Sequence, residues 1–190
     1  MNTLNLTSRI LIAVSALMLI AGYYTPIWEI LMWAPQYPEW LSMTIHIDDI
    51  AGDVKIISAL NHYIGMKHIE VEMFPEFGYM KYILGGLIGI GLLTAAIGKR
   101  WALWFYICTI IALGAAALVD FWLWGYDYGH NLDPNAAISI PGMTYQPPLI
   151  GTKQLLNFTA YSGPDVGGYI ILASAVIAIG VLVKSYFKKN

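Results

Sequence analysis

Three side chains that could bind a metal ion lie close together in the sequence, at His62, Met66 and His68. The apolar spacing from 54 to 67 predicts a helix, and on a helix His62 and Met66 share one face because residues four apart are neighbours. Imidazole and thioether are soft ligands that suit copper, particularly Cu(I), better than magnesium or calcium. The pattern therefore indicates a copper site, and we expect His130 to approach it as a further ligand from a later loop.

The same side chains also fit an ordinary structural role. Four histidines in 190 residues are not unusual, and the pattern H-x3-M-x-H has little specificity by itself. The remaining histidine, His46, lies on the polar face of a predicted strand, beside Asp48. A catalytic zinc site is disfavoured, because no HExxH motif occurs and methionine is a poor zinc ligand.

Asp120 is a second candidate, because it is a carboxylate near the end of a long apolar segment. Ionisable groups inside membrane segments are rare and usually face a cavity or a partner. Asp120 could serve as a proton relay, a metal ligand or a contact to another protein. A hydrated structural carboxylate close to the membrane surface is an equally good interpretation.

Several other chemistries find no support in the sequence. The lone cysteine, Cys108, excludes a CxxC zinc site, a c-type haem attachment site and an intrachain disulfide framework. No histidine lies near the centre of an apolar segment, so a haem held between two histidines inside the membrane is not expected. The sequence also lacks a P-loop, a GxSxG motif, a Rossmann glycine pattern and the basic patch of a nucleic-acid-binding protein. We therefore expect a protein that is not an enzyme, with lipid and protein partners.

The sequence also contains four long apolar segments, at about 10–27, 82–97, 101–124 and 169–183. Each approaches the roughly 20 residues that a helix needs to cross a bilayer. The composition agrees, since 58% of the residues are hydrophobic and 12% are charged, whereas soluble domains carry about a quarter charged residues. We predict an all-α integral membrane protein with one domain, residues 1–190, and four transmembrane helices. The first is expected to be a permanent helix and not a cleaved signal peptide, because no small-x-small site follows it.

Charge decides the expected orientation of these helices. All twelve carboxylates, from Glu29 to Asp165, lie on one side of the apolar segments or at the helix ends on that side. Most strong cations lie on the other side; they are Arg9, Lys99, Arg100, Lys184, Lys188 and Lys189. Because positive residues stay in the cytoplasm during insertion, we expect both termini to be cytoplasmic. The protein would lie in the cytoplasmic membrane of a bacterium, with loops 28–80 and 125–168 in the periplasm.

The two outer loops have different predicted structures. The first contains an alternating strand at 41–47, the helix at 54–67 and a second alternating strand at 69–73. Together these predict a small α+β cap on the periplasmic face, formed by the first outer loop. The second loop is rich in turn residues, with a short interfacial helix expected at 151–161.

As a set, five segments of the chain resemble small four-helix membrane proteins encoded among the accessory genes of bacterial nitrous oxide reductase. These segments are Pro35–Glu39, Ile50–Val54, Leu60–Met66, Gly129–Pro134 and Tyr145–Gly151. Trp40 departs from the pattern, which leads us to expect glycine there. Nitrous oxide reductase is a copper enzyme outside the cytoplasmic membrane that needs copper delivery and electrons from the quinol pool. The resemblance therefore implies a setting in denitrification and a copper-handling respiratory partner.

Three functions follow from these observations. We expect foremost an accessory protein of the inner membrane whose periplasmic cap handles copper or docks a copper-handling partner, with His62, Met66, His68 and His130 as the metal ligands. A structural anchor for a larger respiratory complex is the main alternative, suggested by the aromatic and proline-rich outer loops. A quinol-linked electron-transfer subunit is a further alternative, in which Asp120 and His130 accept protons.

Overall fold

The computed structural model describes residues 3–187, so Lys188 and Lys189 lie outside the described residues. Within that range the chain forms five α-helices and five β-strands. In chain order they are α1 (Leu6–Met18), β1 (Trp28–Trp33), β2 (Leu41–Ile45), β3 (Ile50–Gly52), α2 (Val54–Tyr63), α3 (Phe77–Ile97), α4 (Arg100–His130), β4 (Gly151–Leu155), β5 (Phe158–Pro164) and α5 (Val166–Phe187). Two 3₁₀ segments are also present: Leu19–Tyr23 extends α1, and Val71–Met73 precedes α3.

Four helices are long and apolar enough to cross a membrane, which confirms the prediction of four such segments. They are α1 with its 3₁₀ extension, α3, α4 and α5. Their ends differ from the predicted ones. The first stops at Tyr23 and not near residue 27, because the chain then turns at Pro26 and enters β1. The third, α4, continues past residue 124 to His130, because Tyr128 is buried in the core outside the bundle.

Hydrogen bonds join the four helices at the end of the bundle that carries the α3–α4 turn, residues 98–100, which we call the turn end. The Arg9 guanidinium of α1 donates from Nε to the Ala95 carbonyl and from Nη2 to the Ala96 carbonyl, both at 2.7 Å. These carbonyls lie in the last turn of α3, where backbone acceptors lack helical partners. In the same way, Arg100 Nη2 donates to the Ser185 carbonyl of α5 at 2.6 Å.

A reciprocal serine pair holds α1 against α5 in the middle of the bundle. Ser15 Oγ donates to the Ser174 carbonyl at 3.0 Å, and Ser174 Oγ donates to the Ser15 carbonyl at 2.9 Å. Both side chains are fully buried among apolar residues that include Ile12, Ala16 and Tyr106. Small polar residues of this kind let membrane helices approach closely while their hydroxyl groups stay hydrogen-bonded.

Away from the turn end, α4 stands apart from the other helices. Each of residues 114–120 is exposed. Because a helix completes a turn every 3.6 residues, a run of this length covers every direction, so among residues 3–187 no element packs around this stretch. The helix regains buried contacts only at 125–129. The bundle is therefore closed near the turn end, whereas α1, α3 and α5 alone continue the packing toward the opposite end.

A five-stranded antiparallel sheet lies at the opposite end of the bundle, with the order β3-β2-β1-β5-β4. The central strand β1 pairs with β2 on one side and with β5 on the other, so that Ile30 lies opposite both Met43 and Ser162. Two strands of this cap therefore come from the second loop, and the prediction of a cap formed by the first loop alone is wrong. The helix predicted at 151–161 is also wrong, because β4 and β5 form a hairpin there.

The first loop agrees better with its prediction. The strand expected at 41–47 and the helix expected at 54–67 are confirmed as the shorter elements β2 and α2. The strand expected at 69–73 is wrong, because Val71–Met73 is a 3₁₀ helix and the Ile69 N–H donates to Ser58 Oγ at 3.0 Å instead of to a sheet neighbour.

One face of the sheet forms a second hydrophobic core, separate from that of the bundle. Ile30 and Met43 on this face pack with Ile57 of α2 and with Tyr128 at the end of α4. All four side chains are less than a tenth exposed. This core fixes α2 against the sheet, and α2 in turn positions the candidate metal ligands.

Candidate functional site

His62 and His68 come together at the end of α2. Their imidazole rings stack with centroids 5.2 Å apart and planes inclined by 24°. His62 lies in the last turn of α2, and His68 lies in the coil that follows. The structure therefore pairs two of the histidines that the sequence indicates as metal ligands.

A tight reversal of the chain after α2 brings His68 back to His62. Gly65 adopts a φ of +84°, a left-handed conformation that glycine accepts without the steric cost of a Cβ atom. Its N–H donates to the His62 carbonyl at 3.1 Å, and the Met66 N–H donates to the Asn61 carbonyl at 3.0 Å. Hydrogen bonds of the backbone thus fix the spacing of the two imidazoles.

The second loop and the end of α4 hold this reversal from outside. The Asp133 N–H donates to the Gly65 carbonyl at 2.8 Å. Lys67 Nζ lies 2.7 Å from Asp127 Oδ2, and the Asn131 side-chain amide donates to the same carboxylate. These partners could not be found from the sequence, because Lys67 and Asp127 are 60 residues apart. The four-residue spacing of Asp127 and Asn131 at the end of α4 was the only available signal.

The stacked pair lines an open cavity of about 350 Å³, together with Met66, Lys67 and the coil around Asp133. Met66 is only 8% exposed and belongs to the hydrophobic core of the cap. Within residues 3–187, no cluster of three or more histidine, cysteine, aspartate or glutamate side chains could hold a metal ion. The cavity therefore offers two imidazoles and one neighbouring thioether, together with the polar residues Lys67, Asn131 and Asp133.

A smaller cavity of about 70 Å³ lies behind the first, between the sheet, α2 and α4. Its walls are almost entirely apolar, and Met66 lines both cavities. Met32, Met43 and Tyr145 also line the smaller one. The Tyr145 hydroxyl is buried and has no hydrogen-bond partner within the described part of the chain. The inner cavity thus combines three thioethers with one unpaired hydroxyl.

Replacing Tyr145 by phenylalanine should raise the free energy of unfolding by about 1 kcal/mol, because a buried hydroxyl without a partner costs about 1–3 kcal/mol. Tyr128→Phe is the matched control and should lower the stability, since the Tyr128 hydroxyl donates to the His68 carbonyl. Both effects can be measured by denaturant unfolding in detergent micelles. A clear loss of stability in Tyr145→Phe would show that the hydroxyl has a partner in solution.

The other predicted residues lie apart from the pair. His130, the last residue of α4, stacks on Tyr126 with ring centroids 3.9 Å apart, and its Nδ1 lies 2.9 Å from the Tyr126 carbonyl. His46 follows β2, with Nε2 3.5 Å from Thr44 Oγ1. Asp120 lies on the exposed stretch of α4. None of these three predicted residues lines the cavity that contains the histidine pair.

Two imidazoles beside one thioether form a soft but incomplete ligand set. Stable zinc sites use four protein ligands, and catalytic ones use three. The open cavity leaves room for a ligand from another molecule. Comparison with known proteins adds no family, since no protein-family model and no curated protein matches the chain.

Proposed function

We propose that this protein is an accessory protein of a bacterial inner membrane whose periplasmic cap binds copper at His62 and His68 and exchanges it with a copper-handling partner. The observation that carries the proposal is the stacked pair of imidazoles at an open cavity. Imidazole is a good ligand for copper, and the nearby Met66 thioether favours the Cu(I) state. The ligand set is incomplete, which favours transfer over permanent retention because a partner can supply the missing ligands.

The distribution of charge supports a periplasmic cap. The cations Arg9, Lys99 and Arg100 lie at the turn end, and Lys184 lies in the last turn of α5 at the same end. Positively charged residues remain on the cytoplasmic side during membrane insertion. With the turn end in the cytoplasm, the sheet and the histidine pair face the periplasm, where a respiratory copper enzyme would receive its metal.

The resemblance to accessory proteins of nitrous oxide reductase supplies the proposed partner. That enzyme contains copper and works on the same side of the membrane as the cap in this orientation. A membrane-anchored protein can present copper at a fixed distance from the bilayer. Anchoring also raises the effective concentration of the metal-binding cap near a membrane-bound partner.

Purified protein in detergent should bind Cu(II) through imidazole nitrogen, visible as nitrogen splitting in the electron paramagnetic resonance spectrum. His62→Ala and His68→Ala should each reduce that splitting to the pattern of a single nitrogen and weaken binding at least about tenfold, because loss of even a supporting group around a metal costs about 10–100-fold in affinity. His130→Ala and His46→Ala are the matched controls and should leave the spectrum and the affinity unchanged.

Two outcomes would contradict the proposed site. Folded wild-type protein that binds copper neither under oxidising nor under reducing conditions would rule out copper handling by this chain. A loss in His130→Ala with unchanged binding in His62→Ala and His68→Ala would show that the cap does not bind copper at the stacked pair. Circular dichroism of each variant separates these outcomes from unfolding.

A structural anchor is the second candidate, favoured by apolar side chains that the second loop exposes. Ile138, Ile140 and Ile150 are 47%, 43% and 63% exposed and lie outside the four apolar spans. Exposed apolar patches often mark protein–protein contacts. On this hypothesis, a respiratory complex should co-purify with a His62→Ala/His68→Ala variant as well as with wild type. The Ile138→Ser/Ile140→Ser variant should no longer co-purify with that complex.

A further inference from the structure

We propose a second copper site inside the cap, an inner Cu(I) site formed by the thioethers of Met32, Met43 and Met66. This inference rests on the proposed function, because the ion would reach the inner site from the pair formed by His62 and His68. Met66 lines both the outer and the inner cavity. It is therefore the side chain through which the two sites would exchange an ion.

The register of the sheet places two of the three methionines side by side. In the antiparallel pair of β1 and β2, Met32 lies opposite Leu41 and Met43 lies opposite Ile30. Met32 and Met43 are therefore diagonal neighbours on the same face of the sheet. Diagonal neighbours in such pairs have Cβ atoms about 7 Å apart, within reach of long side chains. Two flexible thioethers at this spacing can converge on one ion.

Met66 approaches the same cavity from the opposite wall, directly after the reversal that ends α2. Met43 is 3% exposed and Met66 is 8% exposed, so both sulfur atoms are withdrawn from solvent. The cavity between them measures about 70 Å³. Drug-sized ligands occupy pockets of about 300 Å³ or more, so the inner cavity is too small for such a ligand but has room for an ion.

The chemistry of the walls selects the kind of ion. Neutral thioethers bind Cu(I) well, whereas calcium and magnesium require oxygen ligands. Trp124 also lines the cavity, and an aromatic ring attracts a neighbouring monovalent cation. Only one positive charge would be buried, which keeps the loss of hydration smaller than for a divalent ion.

The unpaired hydroxyl of Tyr145 is a second observation that points to a ligand. Tyr145 is only 2% exposed and lines the same cavity, and buried hydroxyl groups in folded proteins nearly always have a partner. Methionine often fills irregular gaps in a core, and packing alone would explain its presence. Packing does not explain the unpaired hydroxyl or the position of Met66 between two cavities.

The number of Cu(I) ions bound per chain tests the inner site. Full-length protein in detergent is titrated with Cu(I) against a colorimetric chelator, without oxygen and with ascorbate present. We expect two ions in wild type and one in the Met32→Leu/Met43→Leu variant. Leucine and methionine have similar volumes, so this variant should fold, and thermal unfolding checks that it does. Met143→Leu, on the surface of the second loop, is the matched control and should still bind two.

Selenomethionine-labelled protein identifies the ligands independently of stability. X-ray absorption at the copper edge should show copper–selenium scattering in His62→Ala/His68→Ala, where both imidazoles of the outer site are removed. The inner site would be overturned if wild-type protein bound a single Cu(I) ion that was lost in His62→Ala but retained in Met32→Leu/Met43→Leu. That result would leave the proposed function intact. One Cu(I) with selenium scattering that is unaffected by His62→Ala would support the inner site and overturn the role of the histidine pair.

Discussion

Gly129→Ala should disrupt the cap and lower the free energy of unfolding by about 3 kcal/mol, the upper part of the usual range for overpacking. A Cβ atom at this position would lie 2.3 Å from both the backbone N and the Cα of Gln146. The Tyr145 N–H also donates to the Gly129 carbonyl at 2.9 Å. The second loop therefore crosses α4 directly over a glycine, and backbone atoms cannot move aside as a flexible side chain can.

Gly125→Ala is the matched control, one turn earlier in the same helix. A Cβ atom there would meet nothing within 4 Å. Alanine is favoured over glycine inside a helix by about 1 kcal/mol, so this variant should be as stable as wild type or more so. Unfolding of both variants can be followed by denaturant titration in micelles, with proteolysis of the second loop as a local measure. Equal stability of the two variants would mean that the loop does not pack on Gly129 as described.

Gly91→Ala should weaken the bundle itself, with a loss of about 2 kcal/mol from overpacking. An added Cβ would lie 2.6 Å from Ala16 Cβ on α1 and 2.8 Å from Tyr106 Cζ on α4. Both neighbours are fully buried, so neither has free space in which to move. The expected result is a lower midpoint of thermal unfolding, measured by circular dichroism in detergent.

Gly89 provides the comparison for the bundle, because it lies in the same helix and a Cβ there would meet nothing within 4 Å. Gly89→Ala should keep or raise the stability through helix propensity alone. If Gly91→Ala were equally stable, α1, α3 and α4 could not meet as closely as the structure describes. Comparing Gly129→Ala with Gly125→Ala tests the packing of the cap. Comparing Gly91→Ala with Gly89→Ala tests the packing of the bundle.

The membrane-length helices could be predicted from the sequence because spanning depends on the length and composition of one continuous segment. Their ends could not, because packing with distant residues decides them. Tyr128 continues α4 beyond the apolar run, since its ring is buried in the cap and its hydroxyl reaches His68. Phe77 starts α3 before residue 82 for the same reason, as its side chain is buried.

The sheet was predictable only in part, because strand pairing joins residues that are far apart in sequence. Local alternation indicated β2, whose neighbours β1 and β3 belong to the same loop. The strand β1 was hidden among tryptophans that also suit a membrane surface. The turn between β4 and β5 contains Leu156 in a left-handed conformation (φ 57°). No simple turn motif in the sequence predicts this conformation.

The candidate site was also predictable only in part, because some of its contacts are local in sequence and others are not. The closeness of His62 and His68 follows from local features, namely the end of α2 and the turn at Gly65. The expected approach of His130 depends on the course of α4, which keeps this residue stacked on Tyr126. The inner cavity could not be inferred from sequence at all, because Met32 and Met43 become neighbours only through strand register.

The central position of β1 has a consequence for biosynthesis. The Trp28 indole N–H on β1 donates a hydrogen bond to Ser162 Oγ on β5, which is 134 residues later in the chain. At translation rates of about 5–20 residues per second, one edge of β1 stays without its partner for roughly 7–27 seconds while α3 and α4 are being made. An unpaired strand edge readily joins the wrong strand. We therefore expect that edge to need protection from wrong pairing until the last hairpin is made and completes the sheet.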